Sequence, residues 1–398
     1  MIIHMVLPLL WFALSLSGLG GPTARFSADT PVTFVRVPQG GVQPELCISP
    51  DGTIHMVYLS AEPAAAANVF YVRSRDGGLT FSAPIRVNSQ EGSAIATGTI
   101  RGAHIAAGPD GRVHVVWNGS DRALPRAPAN LSIGLPGTPM LYSRSDSRGT
   151  AFEPQRNLVT RTTNVDGGGS IAADSRGGVF VAWHADRIDG RGGEETRRVW
   201  LARSVDGGVT FQNEEPVSPE GTGACGCCAL RLFASADDRL HLLYRSATDR
   251  VHRDIYSLLS GDRGGTFTGG RLDAWELNAC PMTSMSIAQS GSRIMRAWET
   301  QGNVYASGIA AGTDFQAPPA DSSKPLQRKH PRLTANKEGM TLLVWTDGTA
   351  WMRGGSLAWQ LYDAKGQPTN VKGLRSGVPP WSFVAVAPRA DGGFTIIY

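Results

Sequence analysis

The sequence predicts an all-β chain built on a repeated hairpin. Three observations carry this. Glycine makes up 48 of 398 residues, about 12% against an ordinary ~7%, an excess that marks turns. One apolar unit recurs seven times. No stretch between the units has the periodicity of a long helix. With 41% hydrophobic and 18% charged residues, the chain has ample material for a large core, which excludes disorder as its main description. The charge is close to balanced, with 38 basic and 34 acidic residues. No Lys/Arg run offers a nucleic-acid surface, so no nucleic-acid partner is expected.

The N-terminus reads as an export signal. Val6 to Leu16 is an apolar run of eleven residues followed by the small residues Ser17, Gly18 and Gly20. That length suits a signal h-region and is too short for a membrane span. The n-region carries His4 but no Lys or Arg, and an uncleaved anchor is the alternative. The expectation is a signal peptide over 1–20, a single domain over 30–398, a secreted or periplasmic monomer, and no membrane span after cleavage.

The repeated units follow in order. They are PELCISPDGTIHMVY, HIAAGPDGRVHVVW, SIAADSRGGVFVAW, LRLFASADDRLHLLY, MSIAQSGSRIMRAW, PRLTANKEGMTLLVW and FVAVAPRADGGFTIIY. Each is an apolar strand, a Gly/Asp/Asn turn and a second strand closing on an aromatic, which is a hairpin signature. The closing aromatics are Tyr58, Trp117, Trp183, Tyr244, Trp298, Trp345 and Tyr398, and they read as packing between repeats. His55, His114 and His241 each stand three residues before such an aromatic, so they too read as structural.

A second element follows several hairpins: SRDGGLTF at 74–81, SVDGGVTF at 204–211 and SGDRGGTF at 260–267, with SDSRGTAF at 145–152 a decayed copy. In S-x-D-x-G-x-T-F the Asp is suited to accept backbone N–H bonds within the turn. The Gly takes a positive φ, and the aromatic tucks beneath. These turns resemble the Asp boxes of sialidase-like β-propellers, and the resemblance spans nearly all of the chain after the signal. It implies blades of four antiparallel strands, with Asp76, Asp206 and Asp262 as structural turn residues on the face opposite the ligand. Seven hairpins imply seven blades, the last closed by an N-terminal strand near Val32 to Val37; six blades is the alternative, with one hairpin an appendage.

Topology selects a binding face. If each inner strand starts at the top, hairpin turns and Asp boxes lie at the bottom. The long segments 88–101, 118–139, 160–168, 185–196 and 316–329 then gather on top, and long loops on one face of a rigid scaffold mark a binding face. Residues just before the inner strands should ring the channel mouth: Gln43, Glu45, Arg101, His104, Asp166, the 225–228 cluster, Asn278, Cys280, Arg328, Lys329, His330, Arg332 and Trp381. This polar, partly basic ring suits an anionic group. Arg101, Arg328, Arg332 and Trp381 are the substrate-binding candidates.

Five cysteines are present: Cys47, Cys225, Cys227, Cys228 and Cys280. Cys47 lies inside an inner strand and reads as a small apolar core residue. CGCC precedes the fourth inner strand and Cys280 the fifth, so adjacent blades bring them together. A disulfide after export, free thiols, or a zinc or copper(I) site with His104, His330 and His184 on the same face all remain open. CGCC lacks the doubled C-x-x-C spacing of common zinc modules.

The resemblance also implies a glycan or glycoconjugate partner and a glycoside hydrolase of exo-sialidase type, with three arginines, a Tyr/Glu pair and an acid/base Asp. The residues depart from that pattern. Where R-I-P should open the first inner strand the chain has Val42-Gln43-Pro44, and Arg36-Val37-Pro38 lies upstream. Glu299, after Trp298, is the one carboxylate placed to act as a general base. YRSATDRVHRDIY, with Trp275 to Met282 beyond it, is similar to a run in uncharacterised bacterial sialidase-like propellers carrying the same cysteine cluster, which implies that Arg245, Arg253, Asp254 and Trp275 share its architecture. Besides a glycan-directed propeller, the sequence admits a metal- or redox-linked envelope protein and a non-catalytic interaction scaffold.

Overall fold

Seven separate sheets account for the described chain. The structure, a computed structural model, describes residues 31–398 except 133, 135, 191, 309–313 and 317–326; the expected signal at 1–20 lies outside them, as does most of the 316–329 segment. The inner strands are Val42–Ile48, His104–Ala107, Thr162–Ala173, Arg231–Ala234, Ser286–Ser290, Arg328–Ala335 and Ala385–Pro388. Each pairs antiparallel with the strand that follows it. Successive inner strands touch, and the last touches the first. The result is a closed, seven-bladed β-propeller. Among the described residues no helix is long and apolar enough to cross a membrane.

Six blades are four-stranded meanders. The seventh has three strands among the described residues, the third being Val32–Val35 from the N-terminal side. It runs parallel to Phe394–Ile397, with Val32 opposite Phe394 and Val35 opposite Ile397. The parallel sense follows from what comes next. Only residues 36–41 connect Val35 to the inner strand of blade one, which starts at the top, so Val32–Val35 must end at the top, as Phe394–Ile397 does.

The register sets an axial layer. Glu45, His104, Ser170, Arg231, Ser286, Arg332 and Ala385 pair with the residues that immediately precede the seven closing aromatics. Those aromatics are all buried. Several inner strands enter through left-handed residues: Gln43, Met282, His330 and Trp381 have φ of 55°, 49°, 51° and 55°. The pairing register shifts at Val42/Glu45 and Lys329/Arg332, a bulge that turns the chain from the top loops into the channel.

The box turns at the bottom are built by local hydrogen bonds. Asp206 accepts the Thr210 N–H at 3.0 Å and its hydroxyl at 2.6 Å, and Ser204 donates to Asp206 at 2.7 Å. Asp76 and Asp262 repeat this with Thr80 and Thr266. The box aromatic then packs on the preceding blade. Phe152 meets Tyr71 edge-on at 5.4 Å and Phe211 meets Tyr142 at 4.9 Å. Those tyrosine hydroxyls bond His55 and His114, each at 2.7 Å, while His241 bonds Ser235. The three histidines therefore belong to blade packing.

Candidate functional site

The axis is closed at mid-height by charge. Arg231 reaches one oxygen of the Glu45 carboxylate and Arg332 the other at 3.0 Å. Arg231 also lies 3.5 Å from His104 Nδ1. Burial alone would raise the Glu45 pKa, but Arg231, Arg332 and His104 outweigh it and hold it at about 2. Burial, with the two arginines, holds His104 neutral, at about 4. The expected ring of cations is thus neutralised from within, and Arg332 is committed to Glu45 and stacked over Phe383 at 4.4 Å. Below this layer lies a cavity of about 360 Å³ lined by the lower halves of the inner strands. Half-buried Cys47 belongs to it, and burial pushes its thiol up to about 12.

The thiols of blades four and five do meet. Cys225 Sγ lies 3.2 Å from Cys227 Sγ and 3.4 Å from Cys228 Sγ. One Glu194 oxygen and the Cys227 and Cys280 sulfurs lie within 4.8 Å of one another. The CGCC backbone is pinned by Cys225 N–H to the Arg245 carbonyl at 2.9 Å and by a Cys225–Cys228 turn. A side chain at Gly226 would displace the Arg197 guanidinium, which occupies the space where its Cβ would stand. Burial opposes ionisation of Cys228, yet hydrogen bonds from Cys225 and Cys227 and the charge of Arg245 hold it well below the usual thiol value. The neighbouring Cys227 thiol brings Cys280 to about 7 against its burial. Cys228 and Cys280 are therefore the members that favour thiolate, while hydrogen bonding and burial push the Cys227 thiol up and Cys225 is likewise raised.

Arg245, Arg253, Asp254 and Trp275 surround it. Arg245 stacks over Trp275 at 5.0 Å, donates to the Arg253 carbonyl at 2.5 Å, and faces Glu299 Oε2 at 3.5 Å. Arg253 pairs with Glu194 at 2.7 Å, and Asp254 accepts the Trp275 N–H at 3.0 Å. Glu299 is 1% exposed. Burial raises it to about 7 against Arg245, and it accepts the Gly302 N–H at 2.7 Å. It lies behind the thiols with no open face toward a substrate. His330 is buried with Nδ1 3.2 Å from Ser284 Oγ, and His104 stands in the axial layer. Neither joins the thiols in a compact ligand set among the described residues. His184 is fully buried and neither ring nitrogen makes a well-formed hydrogen bond. It packs on the CGCC loop, as a methyl on Gly167 would lie 2.9 Å from both His184 Nδ1 and the Cys228 carbonyl.

The remaining substrate candidates separate. Arg328 stacks over Trp345 at 5.2 Å. Trp381 packs under Trp351, with ring centres 5.9 Å apart. Arg101 grips Asp166 through Nε and Nη2 at 3.2 and 2.8 Å. These two line a cleft of about 500 Å³ on the top face with Asn118, Asp121, Asn164 and Arg197. Gly98 stands between Arg101 and Trp351: a methyl there would lie 3.2 Å from the Trp351 ring and 3.3 Å from Arg101 Nη1, and Trp351 itself lines a separate small pocket with Thr99, Lys329, His330 and Trp381. Trp351 is 48% exposed, so an aromatic face stands beside a polar cleft. Sequence reasoning missed Arg231, Glu194, Arg197 and Trp351. Arg231 alone had a signal, its register match to Glu45 and Arg332.

No family model and no curated protein matches the chain. Solved structures match in fold. An α-L-arabinanase of Penicillium chrysogenum complexed with arabinobiose is 14% identical over 83% of this chain and 95% of its own, with a TM-score of 0.54. The Hadza microbial sialidase Hz136 is 14% identical over 82% of this chain, with a TM-score of 0.52. The chain spans 66% of that sialidase's length. The intramolecular trans-sialidase of Ruminococcus gnavus is 12% identical over 85% of this chain and 94% of its own, with a TM-score of 0.51. At 12–14% identity these likenesses show the β-propeller fold alone. Within it, the three arginine candidates of this chain do not converge: one is in the top cleft, one on Trp345 and one in the axial layer.

Proposed function

We propose that the protein is an exported glycan-binding propeller that takes a neutral oligosaccharide in the top cleft beside Trp351. The observation that carries this is the exposed Trp351 ring flanking Gly98 opposite Arg101. A flat apolar ring beside fixed polar donors and acceptors fits a sugar, which presents C–H faces and hydroxyl edges. Glycan-directed proteins of the same fold support the reading. Charge selects among sugars. Arg101 already holds Asp166, and Arg197 lies 4.0 Å from Asp166 and 3.9 Å from Asp186. An anionic sugar would have to displace a carboxylate, whereas hydroxyls bond both partners of the pair. Export rests on the apolar run at 6–16.

The test is a glycan array followed by calorimetry, on chain expressed with its own N-terminus. Neutral oligosaccharides are expected to bind, and Trp351→Ala to weaken them about tenfold, the value of ~1.4 kcal/mol of stacking. Preference for sialylated glycans, or binding indifferent to Trp351→Ala, overturns the site. Recovery only from the cytoplasm overturns export.

A further inference from the structure

The four clustered thiols lie outside the proposed glycan cleft, and although Cys225 and Cys228 pack with Ala247, that contact does not need four sulfurs together. We propose that Cys225, Cys227, Cys228 and Cys280 together bind one thiophilic d10 metal ion, zinc(II) or copper(I), at a site open to solvent on the Cys280 side.

The geometry favours shared coordination over pairing. Cys225 is nearly equidistant from Cys227 and Cys228, at 3.2 and 3.4 Å, and Cys227 lies within 4.8 Å of Cys280. These contacts admit one partition into couples, Cys225–Cys228 with Cys227–Cys280, yet Cys225 is no nearer to Cys228 than to Cys227, so distance does not single that pairing out. A tetrahedral ion with metal–sulfur bonds of ~2.3 Å sets sulfurs about 3.8 Å apart, so Cys225 must draw back from Cys227 and Cys228 by about half an ångström while Cys280, which falls in a separate close group with Cys227 and Glu194, moves in to complete the set. Forming two disulfides would require contraction to ~2.05 Å at two places in one cluster.

The surroundings carry the second, independent observation. Arg245 and Arg253 are buried, and the Nε–H of each has no acceptor in the protein. Buried guanidinium N–H groups left without an acceptor are costly, and these flank the thiols. Zinc binding accounts for them. One Zn²⁺ and four thiols give a tetrathiolate of charge −2 and release four protons to solvent, and the two arginines offset that charge. His184, buried on the CGCC loop without a well-formed hydrogen bond, adds a polar group facing the same segment. Cys225 and Cys228 are buried while Cys280 is exposed and Cys227 half-buried beside Glu194. An ion held here has a dry inner side and a wet outer side, a layout suited to exchange with solvent.

The experiment uses the full chain, reduced with a phosphine and kept free of oxygen. Zinc(II), cobalt(II) and copper(I) are each offered against a competing chelator, and bound metal is counted by native mass. One ion per chain is expected. The cobalt form should show the intense near-ultraviolet thiolate-to-cobalt band and the visible bands of tetrahedral cobalt. Cys225→Ser/Cys280→Ser should lose about a hundredfold or more in affinity, and Cys47→Ser should lose nothing. Circular dichroism and melting confirm that each variant is folded. If the folded, reduced chain takes up none of the three ions, or if the double variant binds as well as the parent, the proposal is overturned. Glycan binding in the cleft is not needed for either outcome.

Discussion

Glu45 is the residue on which the axial layer turns. Its two oxygens serve Arg231 and Arg332, so Glu45→Gln leaves two buried guanidinium groups without their counter-charge. Breaking such a pair costs about 3–5 kcal/mol, read as a lower urea midpoint. The same residue sets an acid limit. Its pKa falls from 4.5 unfolded to about 2 folded, so the unfolded chain binds the proton first and stability is lost as pH drops through that window. His104 acts with the same sign and earlier, between 6.5 and about 4, because folding holds it neutral. Urea midpoints should therefore fall from pH 7 to 3.5 in two stages, the first shared with His114, His184 and His241 and the second with Asp51, Asp76, Glu195, Asp206, Asp237 and Asp262, and Glu45→Gln should make the second shallower; an unchanged slope below pH 4.5 would refute the assignment. At this scale the sequence was half legible. Residues ahead of each inner strand were readable as a ring because the hairpin register is local. Which of them neutralise each other was not, since Glu45 and Arg231 belong to blades one and four and meet only across a closed ring. Trp351 had no repeat partner to mark it, and Glu194 lies in a loop without periodicity.

At the scale of elements, hairpins and box turns were legible because both are set by residues close in sequence: a turn signal between apolar strands, and an Asp four residues before the Thr it accepts from. The entry bulges were not, because Gln43, Met282, His330 and Trp381 share a backbone state and no side-chain chemistry. The box turn joins two energies that substitutions separate. Asp206→Ala removes two exposed hydrogen bonds from Thr210 and a half-buried one from Ser204 and should cost about 1–2 kcal/mol. Phe211→Ala removes a half-buried ring from Tyr142 in the neighbouring blade and should cost about 2–3 kcal/mol, below the range for a fully buried ring. Chemical denaturation ranks them. Both variants should keep wild-type glycan and metal binding, because the box turns lie at the other end of the blades. A loss of binding without a loss of stability would move the site to that face.

Across the whole molecule, the ring is held shut by a strand from the other end of the chain. Phe394–Ile397 would be an open edge without Val32–Val35, and unpaired edges invite pairing with other chains. Beyond the ladder, Val37 N–H reaches the Tyr398 carbonyl and Tyr398 N–H the Val35 carbonyl, both at 3.0 Å. Arg36 stacks over Tyr398 at 4.0 Å, and Arg375 donates to the Tyr398 hydroxyl at 2.7 Å while lying over Phe34 at 4.6 Å. The closing aromatic of the seventh repeat thus fastens blade seven to blade six and to the lead-in of blade one. Removing residues 31–37 strips Val32, Val37 and the partly buried Phe34 from the core, worth about 6 kcal/mol at 1.5–3 kcal/mol per apolar side chain, and it bares the edge. The truncated chain should melt at a lower temperature and with less cooperativity, and it should associate at concentrations where the parent does not, as light scattering would show. Phe34→Ala, which keeps the backbone ladder, should lower the melting temperature without association. Equal behaviour of the two would mean that closure rests on side-chain packing and not on the parallel pairing.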